Sequence, residues 1–104
     1  MQVLVTLILI WKNYFRKQKN YWRMMMQVMV VILRSGIHLI SKVEQLEEEP
    51  NCHLQDPYLI KDDGTLEPWP RYTTDTDVLL YSETLATIVE PDDAIRKKYE
   101  TVTK

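Results

Sequence analysis

The first acidic residue of this 104-residue chain is Glu44, and Met1–Lys42 contains none. The bases of that stretch are Lys12, Arg16, Lys17, Lys19, Arg23, Arg34 and Lys42, a charge of +7. All fifteen carboxylates follow, against six bases, a charge of −9 and a total of −2. The near-neutral sum excludes attraction of the whole chain to nucleic acid, and it hides two unlike halves. Glycine is scarce, with two residues, which excludes a glycine-rich phosphate loop. The single cysteine, Cys52, forms no internal disulfide and builds no zinc site alone. It leaves the redox compartment open.

Long apolar runs are also missing. Val3–Trp11 is apolar, but a spanning helix needs about 20 such residues. No positive residue precedes it and no small-residue cleavage site follows, so it departs from a signal peptide. Met24–Leu33 is stopped by Arg34. Extending it to Ile40 encloses Arg34 and His38, and a central Arg costs about 2.5–3.5 kcal/mol in a bilayer. There is no G-x-S-x-G elbow and no H-E-x-x-H. Cys52 and His53 are neighbours in sequence, which says little about nucleophile–base geometry, and His38 is the only other histidine. We therefore expect no self-contained active site, no cofactor, no metal and no small-molecule site.

What is present reads as follows. Met1–Trp11 suits a buried helix or a buried strand, and periodicity does not decide. Lys12–Arg23 interleaves bases with Tyr14, Phe15, Tyr21 and Trp22, each aromatic seven residues from a partner on one helix face. That pattern suits an anionic membrane surface or RNA, and suits better a surface helix docked through its aromatics with its bases solvated. The RNA reading rests on this run alone, and we expect no nucleic-acid partner. Met24–Leu33 holds four of the five methionines. A helix is expected to run from there towards Pro50, with a break or kink at Ser35-Gly36 and fraying at Glu47–Glu49.

Pro50–Asp56 reads as a linker that exposes Cys52 and His53. Tyr58–Trp69 reads as a hairpin about Asp62-Asp63-Gly64, since Gly after two Asp is a turn signal and the spacing is wrong for a calcium loop. Asp75 and Asp77 read as solvated loop acids. Val78–Tyr81 and the alternating Leu85, Thr87 and Val89 suit two short strands with a turn at Ser82-Glu83. Asp92 and Asp93 open a closing helix through about Tyr99, with Arg96, Lys97 and Lys98 behind them. The expected fold is α+β: an N-terminal helix or helix pair, a small antiparallel β region and a short C-terminal helix. The expected organisation is a basic, apolar helical segment over 1–49, a linker over 50–57 and an acidic β-hairpin region with closing helix over 58–104.

Two segments resemble the end of a type-B carboxylesterase, the cholinesterase-like branch of the α/β-hydrolases. Ile10-Trp11-Lys12-Asn13-Tyr14-Phe15-Arg16-Lys17 is similar to that family's late helix, L-W-T-N-F-A-K-T-G-N-P, and Trp69-Pro70-Arg71-Tyr72-Thr73 resembles its W-P-x-Y-T. The family places roughly ten to twenty residues between the two, whereas Gln18–Pro68 intervenes here, and its G-N-P is replaced by Gln18-Lys19-Asn20. The resemblance implies a C-terminal scaffold fragment of an α/β-hydrolase, inactive alone, because the family's serine, acid and histidine precede the first segment. It assigns structural roles to Trp11, Asn13, Tyr14, Trp69, Pro70 and Tyr72, and no catalytic residue. The competing expectation is a small membrane-associated or accessory subunit. Its basic, apolar Met1–Ile40 would meet a membrane surface or a larger protein, and its acidic half would face water. Either setting favours a secreted or membrane-associated location.

Overall fold

The computed structural model describes residues 26–104. The expected N-terminal helix from Met24 to Pro50 is not what forms over these residues. They make two strands, β1 (Gln27–Leu33) and β2 (His38–Gln45), paired antiparallel with Val30 opposite Ile40. Ser35-Gly36 is the hairpin turn rather than a helix kink. The Gly36 N–H donates to the Leu33 carbonyl at 2.9 Å, and Gly36 sits at φ +95°, where side chains are disfavoured. Val28, Val30, Val31, Ile32, Ile37, Ile40 and Val43 supply the β-branched density that suits pleated backbone. The two-residue period is obscured because residues on both faces of β1 and β2 are covered, and a strand covered on both sides reads as one apolar run.

The expected linker is also strand. β3 (Cys52–Ile60) pairs with β2, placing Val43 opposite Leu54. β3 has two partners on its other edge: β4 (Leu66–Pro68) lies along Tyr58–Ile60, and β5 (Asp77–Leu80) lies along Cys52–Gln55. They are two parts of one interrupted partner strand, and the residues between them, 69–76, loop out beside Asp56-Pro57. The same two residues form a bulge against Ser41 of β2. Pro57, which has no N–H to donate, belongs at such a break. Asp56 adopts φ +54°, and its N–H donates to the Thr76 carbonyl at 2.7 Å.

A single 3-10 turn, Ser82–Thr84, joins β5 to β6 (Leu85–Val89), and β6 pairs with β1 at the opposite end of the sheet. The sheet order is β4-β3-β2-β1-β6, with β5 also beside β3. A 3-10 turn rises only about 2 Å per residue. The sheet must therefore curl until its two ends nearly meet, making a small, incompletely closed antiparallel barrel. Its interior is Val31, Leu33, Leu39, Val43, Cys52 and Leu54, with Val78, Leu80, Leu85 and Ile88 packed against them.

The closing helix forms where expected, as α1 (Asp93–Val102), capped by the Asp92 carboxylate accepting from the Ile95 N–H at 2.9 Å. Tyr99 anchors it and is fully buried. The Tyr99 ring meets Tyr58 edge-on, with centroids 5.9 Å apart. Its hydroxyl donates to the Asp56 carbonyl at 2.9 Å, with the Gln55 carbonyl at 3.2 Å, and accepts from the Lys42 N–H at 3.2 Å. These main-chain groups lie at or beside the bulge between β2 and β3. The hairpin at Asp62-Asp63-Gly64 and the strands at 77–80 and 85–89 also match the sequence expectation. Among the described residues, no helix is long and apolar enough to cross a membrane.

Candidate functional site

Strand register brings together three titratable side chains that sequence spacing leaves apart. Glu44 of β2 lies directly opposite His53 of β3, and Asp77 of β5 lies opposite Gln55, two residues along. Alternation puts all three on the sheet face turned away from the barrel interior. His53 is 1% exposed, in place of the exposed linker position expected for it. Its Nε2 stands 3.0 Å from Asp77 Oδ1. An ionised carboxylate only accepts, so Nε2 carries the proton and donates. Glu44 Oε2 is 3.8 Å from His53 Nδ1, too long for a hydrogen bond. Burial raises the Glu44 carboxyl above its ordinary pKa, and the attraction of His53 offsets part of that rise.

A histidine oriented by a carboxylate is half of a nucleophilic catalytic unit, which needs a nucleophile within hydrogen-bond reach. The neighbouring Cys52 does not supply one. It points to the opposite face, is buried in the barrel interior, and its thiol is pushed up to about 11 by that burial. The Ser41 hydroxyl is turned to the Gln55 and Lys42 carbonyls, 2.9 Å from each. Three surface depressions, of about 650, 410 and 420 Å³, have linings that include neither His53 nor Asp77. No group of acids, histidine and cysteine suited to a metal ion occurs among the described residues. Within the cluster the His53–Asp77 hydrogen bond ties β5 to β3, and Glu44 of β2 lies alongside.

The second feature is main chain. β5 pairs on one side with β3, and β6 on one side with β1. Among the described residues, the outer edges of both strands have no main-chain partner. Neither strand contains Lys, Arg or Pro. Those are the residues that commonly blunt a strand edge. Val78, Leu80, Leu85 and Ile88 touch the core yet remain half-buried, and Val89 is 42% exposed. The 3-10 turn Ser82–Thr84 joins the end of β5 to the start of β6. The carboxylate of Glu49, from the β2–β3 connection, accepts from the Ser82 N–H at 2.9 Å and holds that turn in place.

Trp11, Asn13 and Tyr14 lie outside the described residues. Trp69 packs against the core, and its N–H donates to the Pro57 carbonyl at 3.0 Å. Pro70 begins the loop after it. Tyr72 is 101% exposed at φ +66°. Glu44, His53, Asp77 and the two open edges escaped the sequence reading. Their only signal was period two across His53 and Gln55, hidden by the assumption of a linker.

The model of a protein family, described as a family of unknown function (DUF6561), matches residues 26–104. No curated protein matches the chain.

Proposed function

This chain belongs to the DUF6561 family, and for it we propose a non-catalytic role: an accessory module that accepts an extended strand from a partner polypeptide. The observation that carries the reading is the pair of unpaired, largely apolar edges on β5 and β6, whose one charged residue, Asp77, is engaged by His53. An added strand satisfies the free N–H and C=O groups and covers the half-buried Val78, Leu80, Leu85 and Ile88. Two further features support it. Neither Cys52 nor Ser41 serves the Glu44–His53–Asp77 cluster as a nucleophile, and the His53–Asp77 hydrogen bond ties β5 to β3. From Met26 onward the chain carries eight bases against fifteen acids, a balance that repels nucleic-acid phosphates.

This narrows the accessory-subunit expectation to a physical mode of binding. The membrane contact expected through Met1–Ile40 and the ester-hydrolase scaffold expected from the Trp11 and Trp69 segments rest in part on residues before Met26, and this reading draws on neither. Hydrogen exchange on the full chain tests the reading. Adding an apolar, extended peptide slows exchange at amides in 77–80 or 85–89. Thr87→Lys, an exposed change that places a charge on the β6 edge, abolishes the effect at that strand while leaving the melting temperature unchanged. Unaltered exchange at both strands with every extended peptide tried overturns it.

A further inference from the structure

The charge around the two edges specifies the partner strand. Between Tyr72 and Ile95 the chain has six carboxylates, Asp75, Asp77, Glu83, Glu90, Asp92 and Asp93, and no Lys or Arg. This one segment contains both open strands and the turn between them. Glu83 sits in the turn and Glu90 directly after β6, and both are exposed. The connection carrying Glu47, Glu48 and Glu49 reaches the same turn, because Glu49 accepts from the Ser82 N–H. Arg34 is the nearest base along the β1–β6 pair. Its Nε donates to the Leu85 carbonyl at 3.3 Å, so one base stands at the start of β6, held by that strand's own main chain. The acceptor edges are thus mainly apolar along their length, with Asp77 opening β5, Glu83 in the turn and Glu90 after β6, and Arg34 as the base beside them.

We propose that the occupant of these edges is an extended polypeptide with an apolar centre and Lys or Arg at its ends. The inference rests on the strand-acceptor reading and names the chemistry of its partner. Main-chain pairing supplies adhesion without regard to sequence, and the acidic ends supply selection and steering. A second copy of this chain is a poorer occupant. Setting β5 of one copy antiparallel to β6 of another brings Asp77 beside the segment carrying Glu90, acid against acid. Like charges directly opposite destabilise a strand pair.

The test uses the full chain and three synthetic nine-residue peptides of alternating Val and Thr: one with two Lys at each end, one with two Glu at each end, and one with a central Pro. The Lys-ended peptide binds and slows exchange at 77–80 or 85–89. The Glu-ended peptide binds at least about tenfold more weakly at low salt, and the difference shrinks as salt rises. Glu83→Lys combined with Glu90→Lys, both at exposed positions, reverses the preference without changing the melting temperature. The Pro peptide does not bind. Equal binding of Lys-ended and Glu-ended peptides overturns the proposed partner and leaves the strand-acceptor reading standing. Absence of binding and protection with all three overturns both. Concentration-dependent protection of these strands without peptide, together with a larger mass in sedimentation, makes a second copy the occupant and overturns the proposal.

Discussion

The hydroxyl of Tyr99 lies 2.9 Å from the carbonyl of Asp56, joining the last helix to the point where β3 is broken. The same oxygen accepts from the Lys42 N–H and reaches the Gln55 carbonyl. One hydroxyl thus answers main-chain groups from two strands. Tyr99→Phe keeps the ring against Tyr58 and leaves those groups buried without it. The expected loss is about 1–3 kcal/mol, read from urea unfolding. Tyr99→Ala also leaves a cavity and costs more, about 3–5 kcal/mol by analogy with other buried aromatics.

Glu44 gives the fold a pH dependence of known sign. Its folded pKa is raised above its ordinary value of 4.5 by burial, with His53 opposing the rise. The folded state therefore binds this proton more readily than the unfolded one. The associated stability is complete below pH 4.5 and is lost as pH rises through the raised value. Glu44→Gln removes that loss. Urea midpoints should show the variant gaining on the native chain between acid and neutral pH. A difference that does not vary with pH contradicts the assignment.

Asp77 accepts from the buried His53, so its loss reaches both a hydrogen bond and the seating of β5. Asp77→Ala is expected to cost about 1–3 kcal/mol. Amides of 77–80 should then exchange faster than those of β1 and β2, because β5 is fastened on one side only. Uniform acceleration across the barrel would show that the contact stabilises the whole fold and not the edge strand.

Cys52 is buried and its thiol is raised to about 11, so at neutral pH it is protonated and covered. Alkylation in the native state should run no faster than unfolding and should rise in step with urea. Rapid native labelling would contradict the burial.

Tyr72 holds a left-handed backbone conformation at φ +66° while its side chain is in water. That conformation costs a residue with a Cβ about 1–2 kcal/mol. Tyr72→Gly should leave stability unchanged or raise it, despite removing a large aromatic. Gly36→Ala is the converse. A Cβ there meets nothing within 4 Å, yet φ is +95°, so the expected loss of about 1–2 kcal/mol is purely conformational. Thermal melts of the two variants should move in opposite directions, or Tyr72→Gly should stay level.

The acidic half was legible because its signals are local. Asp62-Asp63-Gly64 made a turn, Leu85, Thr87 and Val89 alternated, and Asp92 capped a helix. The segment from Met26 to Asp56 was misread because its strands are covered on both faces. Val28–Leu33 then carries no alternation, and Met and Leu within it favour a helix by propensity. What decided the matter was non-local: β2 sits between β1 and β3, and β3 is held by both β4 and β5. Placing Pro50–Asp56 in a linker followed from the same error. It hid His53, whose partners Glu44 and Asp77 are assembled only by register.

Residues 69–76 leave the sheet and return to it beside Asp56-Pro57, while the strands on either side keep their pairing to β3. The barrel therefore already tolerates a detour at this point. Doubling a flexible loop adds only about 0.6 kcal/mol of closure entropy. With Trp69 kept in place against the core, the bond between Tyr72 and Thr73 becomes a graft point. A fluorophore-binding tag or a whole small domain spliced there should ride on the molecule with β5 and β6 still open, giving a handle for watching strand capture without touching the surface that performs it.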